Sequence, residues 1–124
     1  DSGWFTMQSQ HNVLCYRQLY HGFNAVPSKV KVLVKVPQQP MYGDNAGLIF
    51  EGVGARGSDD DVSGTQYGEY SGVLFAYDQH RIKLWAPNKD NGAANGHIFA
   101  FGDGWGPSQQ PDVRIDEAEV KVLA

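Results

Sequence analysis

The sequence predicts an all-β protein, an antiparallel sandwich of short strands, and three observations carry that expectation. Fifteen glycines and six prolines are spread over 124 residues, a composition that breaks long helices and favours strands joined by tight turns. Residues 29–36 alternate, with Val30, Val32, Val34 and Val36 on one face and Lys29, Lys31 and Lys35 on the other. About eight apolar segments are separated by loops rich in Asp, Asn and Gly, the spacing of a sandwich.

In chain order, strands are expected at Trp4–Gln8, Asn12–Tyr20, Lys29–Val36, Gly47–Val53, Val73–Tyr77, His80–Trp85, His97–Phe101 and Val113–Leu123. Pro27 and Pro37 bound the third, and Leu33 interrupts its polar face. Its valines are expected to be core. The second carries an apolar face around Val13, Leu14 and Tyr16, expected as a contact between subunits. Asp78–Gln79 has hairpin spacing between two strands. In the last segment Val113 and Ile115 share one parity and Val120 and Val122 the other, so a break is expected near Asp116–Glu117. A helix capped by Asp112 is the alternative there.

The loops expected at Gly43–Asn45, Gly54–Gly68, Ala86–Gly96 and Gly102–Gln110 are where a β scaffold places binding residues. The length fits a single domain spanning 1–124. Ten basic against fourteen acidic side chains give a net charge of −4, which disfavours nucleic acid and anionic membranes. No apolar run is long enough to span a bilayer. Cys15 is the lone cysteine, so an intrachain disulfide and a cysteine zinc cluster are both excluded. A first residue of Asp rather than Met suggests processing, and hence secretion.

Chemistry concentrates in WAPNKDNGAANGHIFAFGDGW, Trp85 to Trp105. Two indoles stand among Asn88, Lys89, Asp90, Asn91, Asn95 and Asp103. Carboxylates accept, amides do both and lysine donates, the set a polyol requires. An indole face suits the C–H face of a galactose-type ring. The alternative is that Trp85 packs under the sandwich and the Asn-Gly pairs only turn the chain.

Other constellations point to less. Asp59-Asp60-Asp61 invites calcium, but adjacent carboxylates on an extended chain diverge. Turn capping, or pairing with Arg56 or Arg81, explains them better. His11, His21, His80 and His97 are scattered without zinc-ligand spacing. No nucleophile motif or phosphate loop occurs, and Glu51, Glu69 and Asp103 do not form a pair nominated by spacing for glycoside hydrolysis. The expectation is binding rather than catalysis, with no cofactor and no metal.

Several blocks together, SGW, HGFNAVPSKVKV, FEGVGA followed by DDD, YSGVLFAYD, RIKLWAPNK and GDGW, resemble the galactose-binding lectins of octocorals and related cnidarian domains. The resemblance covers nearly the whole chain. It implies a fold similar to H-type lectins, a Greek-key β-sandwich assembling as homotrimers paired into homohexamers. It also implies ligands of terminal galactose and N-acetylgalactosamine, bound without metal. Residue by residue, Asn12 stands where such lectins carry an aspartate before the second strand; its amide accepts without the charge-assisted bond. Trp85 matches their strand-end tryptophan, followed by Ala86-Pro87 instead of His, so donation would pass to Asn88 or Lys89. Tyr70 or Ser71 falls near the place of a middle-strand arginine. Asp103 and Trp105 lie in an additional loop.

The sequence therefore predicts a secreted, multivalent lectin in which Trp85 forms a wall for the sugar. Asn12, Asn88, Lys89 and Asp90 would bond hydroxyls, and Tyr70 would add a phenol. The rival is an adhesive matrix module that binds protein partners through its strand edges.

Overall fold

The computed structural model describes residues 1–51, 56–59, 68–88, 94–101 and 113–124. Among the described residues twelve strands are formed: β1 Phe5–Gln8, β2 Tyr16–Tyr20, β3 Lys31–Lys35, β4 Ile49–Glu51, β5 Arg56–Asp59, β6 Gly68–Ser71, β7 Leu74–Tyr77, β8 Arg81–Trp85, β9 Ala94–His97, β10 Phe99–Phe101, β11 Val113–Ile115 and β12 Glu117–Leu123. A 3-10 helix, Pro40–Asn45, links β3 to β4. Sheet order is β1-β12-β3-β4, β2-β8-β7, β5-β6-β9 and β10-β11. The protein is all-β, with almost every pairing antiparallel. Among the described residues no helix is long and apolar enough to cross a membrane.

The valine stripe does what its alternation predicts. Val32, Val34 and Val36 are fully buried and Val30 packs partly against them. Lys31 and Lys35 leave the opposite face and pair with Glu51 at 2.8 Å and Glu119 at 3.4 Å. In β12 the alternation buries Ala118, Val120 and Val122, and Met7 arrives from β1. Ile82 and Leu84 of β8 join the same core, with Leu19 and Phe75 packed against it. Each such side chain contributes about 1.5–3 kcal/mol when fully buried, so the interior of two sheets is one apolar cluster.

Three expectations are corrected. The second strand begins at Tyr16, not Asn12, because His11 Nδ1 accepts the N–H groups of Val13 and Leu14 at 3.1 and 3.0 Å. Tyr16 N–H then closes a turn on the Val13 carbonyl, and Asn12 to Cys15 become turn rather than strand. The expected His97–Phe101 strand is two strands. Ile98 turns fully into the core and its N–H bonds the Ile115 carbonyl at 2.9 Å, so β9 pairs with β6 while β10 pairs with β11. Finally, the β6–β9 pair is parallel. Parallel neighbours need a long crossover, and here the β7–β8 hairpin occupies it.

The segment expected as a loop at Gly54–Gly68 contains β5, whereas the expected break in the last segment falls at Asp116, between β11 and β12. The helical alternative for that segment is not formed. The β7–β8 hairpin is held by Asp78, whose N–H donates to the Arg81 carbonyl at 2.9 Å. One carboxylate oxygen accepts from His80 and Arg81 N–H at 2.8 and 2.7 Å, and the other takes the Arg81 guanidinium at 3.0 Å. Those backbone bonds first, then the guanidinium, hold the carboxyl well below the usual carboxylate range. A depressed folded-state pKa contributes stability above the unfolded value of about 3.9, lost as the pH falls below it. The melting temperature of Asp78→Ala should therefore trail the native protein at neutral pH. That gap should close only below about pH 4. A gap already gone between neutrality and pH 5 would contradict this assignment.

Candidate functional site

The strand β8 reads Arg81-Ile82-Lys83-Leu84-Trp85, and its pleat sends Ile82 and Leu84 into the core. Trp85 therefore faces out with Arg81 and Lys83, 38% exposed. It does not pack under the sheet, which removes that alternative. Its neighbours in register are Tyr16 on β2 and Leu74 on β7. The Tyr16 and Trp85 rings lie tilted, with centroids 5.9 Å apart.

Where β8 ends, a hollow of about 260 Å³ opens, lined by Tyr70, Ser71, Gly72, Leu74, Trp85, Ala86, Pro87 and Asn88. Trp85, Leu74 and Pro87 supply an apolar wall, while the Tyr70 phenol, Ser71 hydroxyl and Asn88 amide supply donors and acceptors. None of these side chains is charged, so a neutral, amphipathic ligand suits the hollow. It is somewhat smaller than the roughly 300–1,000 Å³ of drug-sized pockets, a space for one small ring.

Its walls are fixed by backbone bonds from distant parts of the chain. Ala86 N–H donates to the Cys15 carbonyl at 2.7 Å, and Gln10 N–H to the Pro87 carbonyl at 2.9 Å. The Gln10 side-chain amide reaches the Gly96 carbonyl at 2.8 Å. Gly96 is buried between two lining residues; a Cβ there would lie 2.3 Å from Pro87 Cβ and 2.9 Å from Tyr70 Cζ. Only glycine lets both side chains keep their places. Gly72, at φ 132°, donates its N–H to the His97 and Ile98 carbonyls. That φ lies where side-chain-bearing residues are rarely found.

His97, next to Gly96 in the chain, belongs to a polar network. His97 Nδ1 lies 2.6 Å from Asp116 Oδ1, and the Ser9 hydroxyl donates to the same oxygen at 3.1 Å. Ser9 N–H bonds the Asp116 carbonyl at 2.7 Å. Ser9 and His97 are both buried. The serine bonds the carboxylate rather than the imidazole, so this is a structural tie and not a nucleophile with its base.

Of the residues expected in the site, Tyr70, Trp85 and Asn88 meet at the hollow. Asn12 is exposed on the turn before β2 and is not part of its lining. Lys89, Asp90, Asp103 and Trp105 lie outside the described residues, as do Asp60 and Asp61. Among the described residues no cluster of His, Cys, Asp and Glu could hold a metal ion. Sequence reasoning did not nominate Leu74, Pro87, Gln10 or Gly96. For Leu74 a signal existed: it has the opposite parity to the core-packed Phe75, and a leucine on an outer face asks for a partner.

A larger hollow, about 650 Å³, lies between the outer side of β3 and β12 and the residues around the 3-10 helix. Its lining includes Lys35, Glu117, Glu119, Arg114 and Asp116. Lys35 already pairs with Glu119 and sits 4.1 Å over the Trp4 ring, and burial together with the Asp116 charge raises the Tyr42 phenol. This hollow is lined by several charged side chains as well as by Met41 and Tyr42, whereas the hollow beside Trp85 is uncharged. In comparisons with known proteins, no family model, curated protein or solved structure matches this chain.

Proposed function

We propose that this chain is a lectin that binds terminal galactose or N-acetylgalactosamine of glycans, without metal, cofactor or catalysis. The observation that carries the proposal is the meeting of Trp85, Tyr70 and Asn88 at one uncharged hollow of ring-like size. A pyranose has an apolar C–H face and an edge of hydroxyls. The indole and Leu74 would cover the first, while the phenol, the Ser71 hydroxyl and the Asn88 amide would replace water at the second. Lys89 and Asp90, next in the chain, would add the charged donor and acceptor. The lining residues include no carboxylate, imidazole or thiol, which favours binding over turnover.

The finer architecture belongs to the same reading: a Greek-key β-sandwich similar to H-type lectins, secreted, and assembled as a homotrimer or homohexamer. One shallow polar site binds a single sugar weakly, because water competes for each hydroxyl and little apolar area is buried. Three or six copies on one particle raise avidity by roughly 10²–10⁴ on a glycan-coated surface. Such a particle would serve cell-surface recognition, in host defence or in recognition of symbionts. Val13, at 70% exposed on the turn before β2, presents apolar surface that a subunit contact would cover.

A glycan array probed with the labelled protein tests the binding, and light scattering tests the assembly. Signal confined to glycans ending in galactose or N-acetylgalactosamine, from a particle of three or six chains, is the expected result. An array without sugar selectivity would instead favour the adhesive matrix module, and a monomer would remove the avidity mechanism.

A further inference from the structure

The hollow is not closed on the side of the β2-β8-β7 sheet, since Trp85 and Leu74 belong to both. The outer face of that sheet is laid out in rows by its register: Tyr16–Trp85–Leu74, then Gln18–Lys83–Ala76, then Tyr20 beside Arg81. Tyr20 is 75% exposed, Leu74 52% and Tyr16 40%. The phenols are held in place rather than dangling. Tyr16 OH donates to Gln18 Oε1 at 3.1 Å, and Gln18 Nε2 donates to Tyr20 OH at 2.7 Å. Tyr16 to Tyr20 spans about 13 Å along the strand, longer than one sugar ring.

We propose that this face continues the hollow and seats the inner residues of a linear galactose-terminated oligosaccharide, whose terminal ring occupies the hollow itself. The inference rests on the sugar reading of the hollow and specifies the ligand as a chain rather than a monosaccharide. Three features favour this occupant. The strip starts at the Trp85 wall, so a chain leaving the hollow on this side runs onto it. It alternates ring faces with an amide and an ammonium, and Ala76 leaves the middle row low. Lys83 stands at its centre and has no ion-pair partner among the described residues. A second copy docked across a two-fold axis at that point would set Lys83 against its own mate, and lysine is depleted at interface cores. A ring hydroxyl accepts from that ammonium without such conflict.

Isothermal titration of the intact protein with galactose and with a linear β-galactotetraose decides the matter. The tetraose should bind roughly tenfold more tightly per chain, a gain of the size expected from covering one or two further ring faces. Tyr20→Ala, at a position too exposed to threaten folding, should leave galactose affinity unchanged and abolish that gain; Lys83→Gln should reduce it. Galactose binding without any advantage for the tetraose, or an advantage intact in Tyr20→Ala, overturns the extended face while the hollow stands. Absence of binding by either sugar removes both.

Discussion

Trp85→Ala should lose retention on a galactose matrix while its far-ultraviolet circular dichroism stays native. The indole is an outer-face side chain, and the core residues Ile82 and Leu84 on the same strand point the other way. Its removal costs the sheet little beyond the ring contact with Tyr16. Its removal costs the ligand most of its apolar wall. Covering an aromatic or aliphatic face is worth about 1.5–3 kcal/mol when complete, so affinity should drop by roughly 10- to 100-fold. Trp85→Phe, keeping a smaller ring, should fall between the two. Unchanged retention would take Trp85 out of the site, and a collapsed spectrum would make it a structural residue.

The largest effect on stability is expected from Asp116→Ala. This carboxylate serves two buried groups at once, the Ser9 hydroxyl and His97 Nδ1. Losing it removes a strong acceptor from both, at a cost of about 1–3 kcal/mol for a buried group that loses such a partner, although the Ser9 hydroxyl keeps its 3.3 Å bond to the backbone carbonyl of residue 116. The Asp116 side chain is itself half exposed, so solvent recovers part of this, and a net loss of about 1–2 kcal/mol is expected. In urea that corresponds to a midpoint roughly 1 M lower. Asp116→Asn keeps an oxygen that can accept and should recover more than half of the loss. A midpoint equal to that of the native protein would show that the tie holds nothing. His97 directly follows Gly96, so galactose affinity should also weaken in the alanine variant even though Asp116 lines no part of the hollow.

The legible parts of the sequence were those with an uninterrupted period. The valines of β3 and the parity change at Asp116 follow from alternation alone, because each residue's face is set by its neighbour's. The outward position of Trp85 was equally readable: Arg81, Lys83 and Trp85 share one parity, and two cations seldom line a core. The start of β2 was not readable, because Val13-Leu14-Cys15-Tyr16 has the composition of a strand. It is turned by His11, a side-chain bond that no periodicity announces. Strand β5 and most of β6 were hidden for the opposite reason. Glycine, serine and acidic residues there form strands without an apolar face, their ladder supplied by partners distant in sequence. For the hollow, Trp85, Tyr70 and Asn88 could be nominated by chemistry. Gln10 and Gly96 could not, since each acts by holding a wall that another segment builds.

The strand β12 lies between β1 and β3, bonded to both. On the ribosome, β1 emerges before β12, the strand it pairs with among the described residues. The strand β1 must therefore wait, without that partner for Phe5 and Met7, until β12 has been made. Completion of the sheet rests on a pairing of high contact order, the slow class of folding reactions. The nascent chain consequently has a period of vulnerability in which a chaperone, or a neighbouring nascent copy, competes for the same open edge.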